Sequence, residues 1–240
     1  GKQIWLANGG EIRGTGTLYS YADVRFSDWG AAIDNDSTSS KSPFTLRAYD
    51  GIYSEDTTLY VYDKAKVYAK NTDGTAVKAG GLYIERGYVN AKGKYYGVNV
   101  DGTIEVAGYS SNKIYAYSTA NSKVSDDEMV EDKFYAAIKC DELVNRGYVY
   151  AKASGKSALG IHCLKNLYIT YTTSTTKAYA KNHGAGISYE GDAEFSNAYV
   201  VAKGYNAGIL GLPTDEACPS LSIHGGKVYA YGVNTKDKKA

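Results

Sequence analysis

The stretch Val67-Tyr68-Ala69-Lys70 carries the pattern that decides the fold. An apolar residue, any residue, an alanine, and a lysine or tyrosine follow one another, and from residue 67 onward this pattern occurs seven times. Successive copies begin 22, 25, 35, 29, 22 and 28 residues apart, so the shortest turn has 22 residues and the longer intervals contain insertions. Self-similarity at such a spacing is typical of a solenoid, in which each repeat packs on its neighbours. The copies begin at Val67, Val89, Ile114, Val149, Ala178, Val200 and Val228.

Two further segments accompany the copies, and both predict short strands. The first is a pair of apolar residues separated by one residue, which is the period of a β-strand. The second is a glycine or alanine followed by isoleucine or valine, and Ala32-Ile33 suggests a further turn of this kind near the N-terminus. The apolar pairs are Leu59/Val61, Leu82/Ile84, Ile104/Val106, Leu167/Ile169 and Leu221/Ile223. The second segments are Gly97-Val98, Ala137-Ile138, Gly160-Ile161, Gly186-Ile187 and Gly208-Ile209.

Three short strands per turn, without an amphipathic helical pattern between them, predict an all-β protein that is a parallel β-helix. We expect right-handed winding, because parallel crossover connections prefer that sense. The pattern predicts about 8 to 9 turns and, at about 4.8 Å per turn, a rod of roughly 40 Å. Residues 1–240 then form a single domain, with a loop insertion near residues 118–133 inside the longest interval.

The composition agrees with this fold and limits the partners. The 240 residues include 25 Tyr and 27 Gly but only 3 Pro, and aromatic residues favour strands. The formal net charge is +1, so no overall field attracts nucleic acid. No apolar stretch approaches the ~20 residues of a membrane-spanning helix, so we predict no such segment. The composition does not indicate an oligomeric state.

The repeat also predicts the core. The first and third residues of each copy point inward and stack in columns of Val or Ile and of alanine. By the same alternation, Cys140 and Cys163 are neighbours in the interior. They are interpreted as buried free thiols, with a disulfide between turns as an alternative. Metal ligation is disfavoured, because no His or acidic residue shares their column.

Catalytic patterns are absent from the sequence. The three histidines His162, His183 and His224 share no column and are predicted to lie on the surface. No column carries the stacked acids that polysaccharide lyases and hydrolases need, so we predict no catalytic residue and no cofactor. An acidic cluster in the insertion is interpreted as a solvated loop, with calcium binding as an alternative. Its members are Asp126, Asp127, Glu128, Glu131 and Asp132.

One outward face of the predicted rod is rich in tyrosine and lysine and nearly free of acids. Outward tyrosines and lysines stabilise and solubilise an exposed sheet, and this structural interpretation stays open. The functional interpretation is that aromatic rings stack on sugars while ammonium groups contact acidic substituents. We expect Tyr115, Tyr150 and Tyr179 to share one column and form the platform. The full predicted set is Tyr68, Tyr115, Tyr150, Tyr179, Tyr229, Lys113, Lys152, Lys177 and Lys181.

The stretch Gly87-Tyr88-Val89-Asn90-Ala91-Lys92-Gly93, followed by Gly-Ile segments, resembles the right-handed β-helix surface proteins of gut and soil anaerobes known as carbohydrate-binding domain proteins. The likeness extends over about residues 18–232. It implies an exported, non-catalytic protein at the bacterial cell surface that binds acidic plant polysaccharide, sometimes with calcium. In that family aspartate often precedes the glycine of the third strand, whereas Tyr96, Leu159, Ala185 and Ala207 stand there in this chain, so the resemblance does not carry the calcium site over. A β-helix lyase or hydrolase and a structural adhesin stalk remain the alternative functions.

Overall fold

The computed structural model describes residues 4–6, 10–27, 31–35, 43–122, 134–181, 183–214 and 218–232. These residues form 25 strands and no helix, and all the strand pairings are parallel. The predicted β-solenoid is therefore confirmed. In the described part of the chain, no helix is long and apolar enough to span a membrane. In chain order the strands are β1 (Ile4–Leu6), β2 (Glu11–Gly14), β3 (Thr17–Ser20), β4 (Val24–Phe26), β5 (Ala31–Asn35), β6 (Thr45–Ala48), β7 (Ile52–Tyr62), β8 (Lys66–Asn71), β9 (Val77–Glu85), β10 (Tyr88–Gly93), β11 (Val98–Val100), β12 (Thr103–Val106), β13 (Lys113–Ser118), β14 (Ala136–Cys140), β15 (Glu142–Asn145), β16 (Tyr148–Ala153), β17 (Leu159–Cys163), β18 (Leu167–Thr170), β19 (Thr175–Ala180), β20 (Ala185–Tyr189), β21 (Asp192–Ser196), β22 (Tyr199–Gly204), β23 (Ala207–Gly211), β24 (Ser220–His224) and β25 (Lys227–Gly232).

The strands stack in three columns. The first column is β1, β4, the start of β7, the start of β9, β11, β14, β17, β20 and β23. The second column is β2, β5, the end of β7, the end of β9, β12, β15, β18, β21 and β24. The long strands β7 and β9 pass through both columns and join them into one 16-stranded sheet. The third column, the nine-stranded sheet, is β3, β6, β8, β10, β13, β16, β19, β22 and β25, which marks nine turns.

The predicted inward columns form the core. Val67, Val89, Ile114 and Val149 are partners on successive turns of the nine-stranded sheet. All four are buried, and each contributes about 1.5 to 3 kcal/mol by leaving water. The alanines two residues later, such as Ala91 and Ala151, are buried in the same way. The interior is therefore one continuous apolar stack.

The register of β19 differs from the prediction. Val149 pairs with Thr176 rather than with Ala178, and Ala151 pairs with Ala178. The repeat copy of this turn therefore begins at Thr176, two residues earlier than expected. A shift of two residues preserves which side chains face inward, because side chains alternate with a period of two.

Close backbone contacts explain why glycine recurs in the second repeated segment. A Cβ at Gly160 would lie 2.3 Å from the carbonyl oxygen of Gly186 and 3.0 Å from the backbone nitrogen of Tyr179. A Cβ at Gly186 would lie 2.6 Å from the backbone nitrogen of Lys203. Each of these first-column strands thus starts in close backbone contact with the last residues of a strand of the nine-stranded sheet. From turn five onward, only glycine or alanine precedes the isoleucine or valine of the first-column strand. Ala32-Ile33 lies elsewhere, because Ile33 pairs with Ile12 and Val61 in the second column.

Cys140 and Cys163 are stacked neighbours in the interior, as predicted. Both are free and fully buried, and their sulfur atoms lie 3.7 Å apart. The hydrogen bond with Cys163 and burial together raise the pKa of the Cys140 thiol well above its ordinary value. The free-thiol interpretation is therefore confirmed over the disulfide. The acidic cluster at residues 126–132 lies outside the described residues.

Candidate functional site

The outward side of the nine-stranded sheet is the candidate site. We define the tyrosine–lysine face as the residues at the three outward positions of its strands. No Asp or Glu occurs anywhere in these nine strands. At the first position the residues are Thr17, Thr45, Lys66, Tyr88, Lys113, Tyr148, Thr175, Tyr199 and Lys227. The middle position has Tyr19, Arg47, Tyr68, Asn90, Tyr115, Tyr150, Lys177, Val201 and Tyr229. The last position has Lys70, Lys92, Tyr117, Lys152, Tyr179, Lys203 and Tyr231.

The net charge of +1 conceals an uneven distribution of charge over the rod. The acids of the described residues lie on the other columns and in turns, where several pair with cations. Arg146 bonds Glu105 at 2.6 Å, and Lys165 bonds Asp141 at 2.7 Å. The tyrosine–lysine face keeps its cations without acids in its own strands. It is therefore locally basic on a nearly neutral protein.

The tyrosine rings form a continuous run across five turns. Tyr88 lies 5.5 Å from Tyr68 and 5.6 Å from Tyr115, measured between ring centroids. Tyr115 lies 5.8 Å from Tyr150, which in turn lies 5.4 Å from Tyr179. The planes of these pairs are tilted by 32° to 44°, so the rings form a corrugated surface instead of a flat one.

Crowding affects the ionisation of these phenols. Burial against neighbouring rings, assisted by Tyr115, raises the pKa of Tyr148 to about 12. Burial also raises the pKa of Tyr88 and of Tyr150. The phenols therefore stay protonated at neutral pH and keep an O–H donor for a ligand.

The structure places most of the predicted residues on this face, with three corrections. Tyr68, Tyr115, Tyr150, Tyr229, Lys113 and Lys152 occupy the expected outward positions. Tyr179 does not share the column of Tyr150, because it pairs with Lys152. Lys177 takes the position beside Tyr150, and Lys181 follows the end of β19. The expected column of three tyrosines is wrong, although the ring of Tyr179 still contacts Tyr150.

Two shallow pockets lie on turns two to five of the face. The first, of about 290 Å³, opens at the start of the strands and is lined by Lys64, Lys66, Arg86, Gly87, Tyr88, Ser111, Lys113 and Tyr115. The second, of about 300 Å³, opens at their end and is lined by Arg47, Ala48, Tyr49, Tyr68, Ala69, Lys70, Asn90 and Lys92. Asn90 stands where the turns on either side have Tyr68 and Tyr115, and the ring of Tyr88 leans over it to contact both tyrosines.

Sequence reasoning missed Arg47, Lys64, Arg86 and Tyr88 as site residues. Arg47 had a signal, because Leu46-Arg47-Ala48-Tyr49 is a further copy of the repeated pattern. Its guanidinium lies 4.4 Å from the centroid of the Tyr68 ring, a cation–π contact. Lys64 and Arg86 had none, because they lie in turns between strands.

His162 is buried, which contradicts its predicted surface position. Its Nδ1 lies 2.8 Å from Ser188 Oγ, and its Nε2 lies 3.7 Å from Glu190 Oε1. Burial, assisted by the charge of Lys139, lowers the pKa of His162 to about 4, so the imidazole is neutral. Ser, His and Glu thus come together as in a hydrolase, but Ser188 is fully buried and offers a substrate no access. Among the described residues, no group of three or more His, Cys, Asp or Glu could hold a metal ion.

Neither a family model, nor a curated protein, nor a solved structure matches this chain. The likeness to carbohydrate-binding β-helix proteins therefore stays an expectation.

Proposed function

We propose that the protein is a non-catalytic, exported surface protein of a bacterium that binds acidic polysaccharide through the tyrosine–lysine face. The observation that carries the proposal is the combination, on one acid-free face, of a run of tyrosine rings with cations on either side. Sugar rings pack on aromatic faces, and carboxylate or sulfate groups attract lysine and arginine. A neutral sugar would use only the rings, so the cations favour an acidic ligand.

The geometry favours a long, repetitive ligand over a compact one. The rings recur from turn to turn at the strand spacing of about 4.8 Å, and the pockets are shallow. Enclosed pockets bury most of a small molecule, whereas this surface offers many similar contacts in a row. A polymer gains affinity here by engaging several turns at once.

The first test compares retention on polysaccharide gels. The Tyr115→Ala, Tyr150→Ala and Tyr179→Ala triple variant removes connected rings from turns five to seven. We expect it to fold normally and to lose retention on polygalacturonate by at least tenfold, because aromatic anchors dominate such interfaces. The matched control is the triple variant Tyr60→Ala, Tyr83→Ala and Tyr168→Ala, which removes outward tyrosines of the second column. It should bind like the wild type.

Salt provides the second part of this test. Wild-type retention on polygalacturonate should weaken as salt rises, because the Debye length is about 8 Å at physiological ionic strength and shorter above it. Retention on a neutral glucan should be weak at every salt concentration. Equal retention of the triple variant and the wild type would instead favour a structural role for the rings. A wild type that binds no polysaccharide would favour the adhesin stalk, and turnover of the polymer would favour a lyase or hydrolase.

A further inference from the structure

The first pocket has the features of a defined anion site. We propose that Lys64, Lys66 and Lys113 converge around the ring of Tyr88 to hold one carboxylate or sulfate group of a sugar. The identity of the biological ligand rests on the proposed function, whereas the binding of a free anion at this site does not.

Lys66 and Lys113 flank Tyr88 on neighbouring turns. Tyr88 pairs with Lys66 on one side and with Lys113 on the other, all at the first outward position. With strands about 4.8 Å apart, the two lysine Cα atoms lie about 10 Å from each other. An anion above Tyr88 is then within reach of both flexible side chains.

The corners before the strands add a third lysine. Lys64 and Arg86 occupy equivalent corners on turns three and four, and the Lys64 N–H donates to the Arg86 carbonyl oxygen. Both residues have left-handed backbones, with φ of 71° for Lys64 and 56° for Arg86. Non-glycine residues in this region store strain, which is frequent at ligand sites. The corner conformation brings Lys64 to the rim of the pocket.

The two pockets differ in what their cations contact. Arg86 bonds Asp63, whereas Lys64, Lys66 and Lys113 have no acidic partner in the described part of the chain. In the second pocket Arg47 lies over the Tyr68 ring, and Lys92 Nζ lies 5.4 Å from the Tyr117 ring centroid. The first pocket therefore has three lysines in its lining that contact neither an acid nor an aromatic ring among the described residues, and they attract an anion.

The floor of the pocket is held in place. Asn90 Nδ2 donates to the hydroxyl of Tyr88 at 3.1 Å, and the ring of Tyr88 packs between Tyr68 and Tyr115. Below it, the Gly87 N–H donates to Oδ1 of the fully buried Asn112 at 3.1 Å. Asn112 in turn donates from Nδ2 to the carbonyl oxygen of Ala107 at 2.7 Å. These bonds tie the corners of turns four and five together, so the start of β13, which carries Lys113, is preorganised.

The direct test is a titration with inorganic sulfate, in which NMR monitors protein labelled with ¹³C in its tyrosine rings. We expect saturable shifts at Tyr88 and Tyr115 and not at Tyr199 or Tyr229, which lie on the last two turns. The double variant Lys66→Gln and Lys113→Gln should weaken sulfate binding at least tenfold. Lys113→Arg, which keeps the charge, should retain binding, and Lys156→Gln, an exposed charge in the turn after β16, is the matched control.

Uniform, non-saturating shifts, or equal sulfate affinity of the double variant and the wild type, would overturn the site. Lys64→Gln provides a check at a residue outside the strands. This variant should weaken sulfate binding severalfold and leave the residues of the sheet unchanged. Loss of affinity in Lys156→Gln as large as in the double variant would show a general charge effect and likewise overturn the site.

Oligosaccharides then separate this inference from the proposed function. The double variant should lose affinity for oligogalacturonate and for a sulfated oligosaccharide, and the stronger of the two wild-type affinities identifies the preferred anion. A wild type that binds sulfate at Tyr88 but no acidic oligosaccharide overturns the proposed function and leaves the site standing. A double variant that binds acidic oligosaccharide as tightly as the wild type overturns the site and leaves the proposed function standing.

Discussion

The nine-stranded sheet and the first column of strands both place alternate residues in the core, yet solvent does not reach the outward residues of β17 and β20 in the first column. In β16 the outward residues Tyr148, Tyr150 and Lys152 are half-buried, and their neighbours are buried. In β17 and β20 every residue is buried, including the polar His162 and Ser188. Tyr96, Phe134 and Leu210 pack over this part of the first column. The same repeat therefore yields an open or a sealed face according to what covers it.

The difference shows how polar residues behave in each environment. On the open face, lysine side chains reach solvent and tyrosines contact one another. On the sealed face, His162 becomes neutral and bonds Ser188, because an unpaired buried charge is costly. A binding surface for anions thus requires the open environment, where ammonium groups keep their charge.

The largest expected effect comes from placing a charge inside the open sheet. Val149→Asp should destabilise the protein by about 3 to 5 kcal/mol, because an uncompensated carboxylate would be buried. Lys152→Asp, three residues away but outward, should change stability by no more than about 0.5 kcal/mol. Urea unfolding followed by circular dichroism measures both. Similar unfolding midpoints for the two variants would show that the inward and outward assignment is wrong.

The next effect tests the sealed face through pH. Because the pKa of His162 is about 4 in the folded protein and about 6.5 when unfolded, the unfolded chain binds more protons between these values. The contribution of His162 is complete above pH 6.5 and is lost as the pH falls towards 4, by about 3 kcal/mol in all.

Urea unfolding at pH 7 and at pH 4.5 measures this loss. His162→Gln should lose much less stability on acidification than the wild type. His224→Gln, at an exposed position, should behave like the wild type. The same pH dependence in His162→Gln and in the wild type would place His162 in solvent.

The smallest effect concerns reactivity and leaves stability unchanged. In the native protein, a thiol reagent should label Cys218, which is exposed, and leave Cys140 and Cys163 unlabelled. After denaturation without reductant, all three thiols should react. Cys218→Ser should give no native labelling and two thiols after denaturation. Thiols that appear only after reduction would indicate a disulfide, and rapid native labelling of all three would show that the sealed layer opens.

The repeat was readable because its inward positions face the same neighbours on every turn. Val67, Val89 and Ile114 stack in one column, and alternation alone assigns them to the core. The glycines at 160 and 186 were also visible as a pattern, although the reason for them, the close backbone contact of two sheets, became clear only in the structure. The same alternation put Tyr115 and Tyr150 on the outside, where the structure has them.

The register of β19 was not readable in this way. Thr176 and Ala178 lie two residues apart, so either one satisfies the alternation, and the apolar side chain of Ala178 favoured the wrong choice. The structure pairs Ala178 with Ala151 and Ala202, where its small side chain fits the alanine column. Only contacts between turns distinguish the two registers.

The sequence by itself determined the solenoid, its columns and the side of each strand that faces the core, because these follow from a local period of two. The tertiary structure alone decided that His162 lies under Phe134 and that Lys64, Lys66 and Lys113 meet around Tyr88. Lys64 and Lys113 are 49 positions apart in the chain. Alternation says which way a side chain points, but its neighbours depend on how the turns stack and on what covers the sheet.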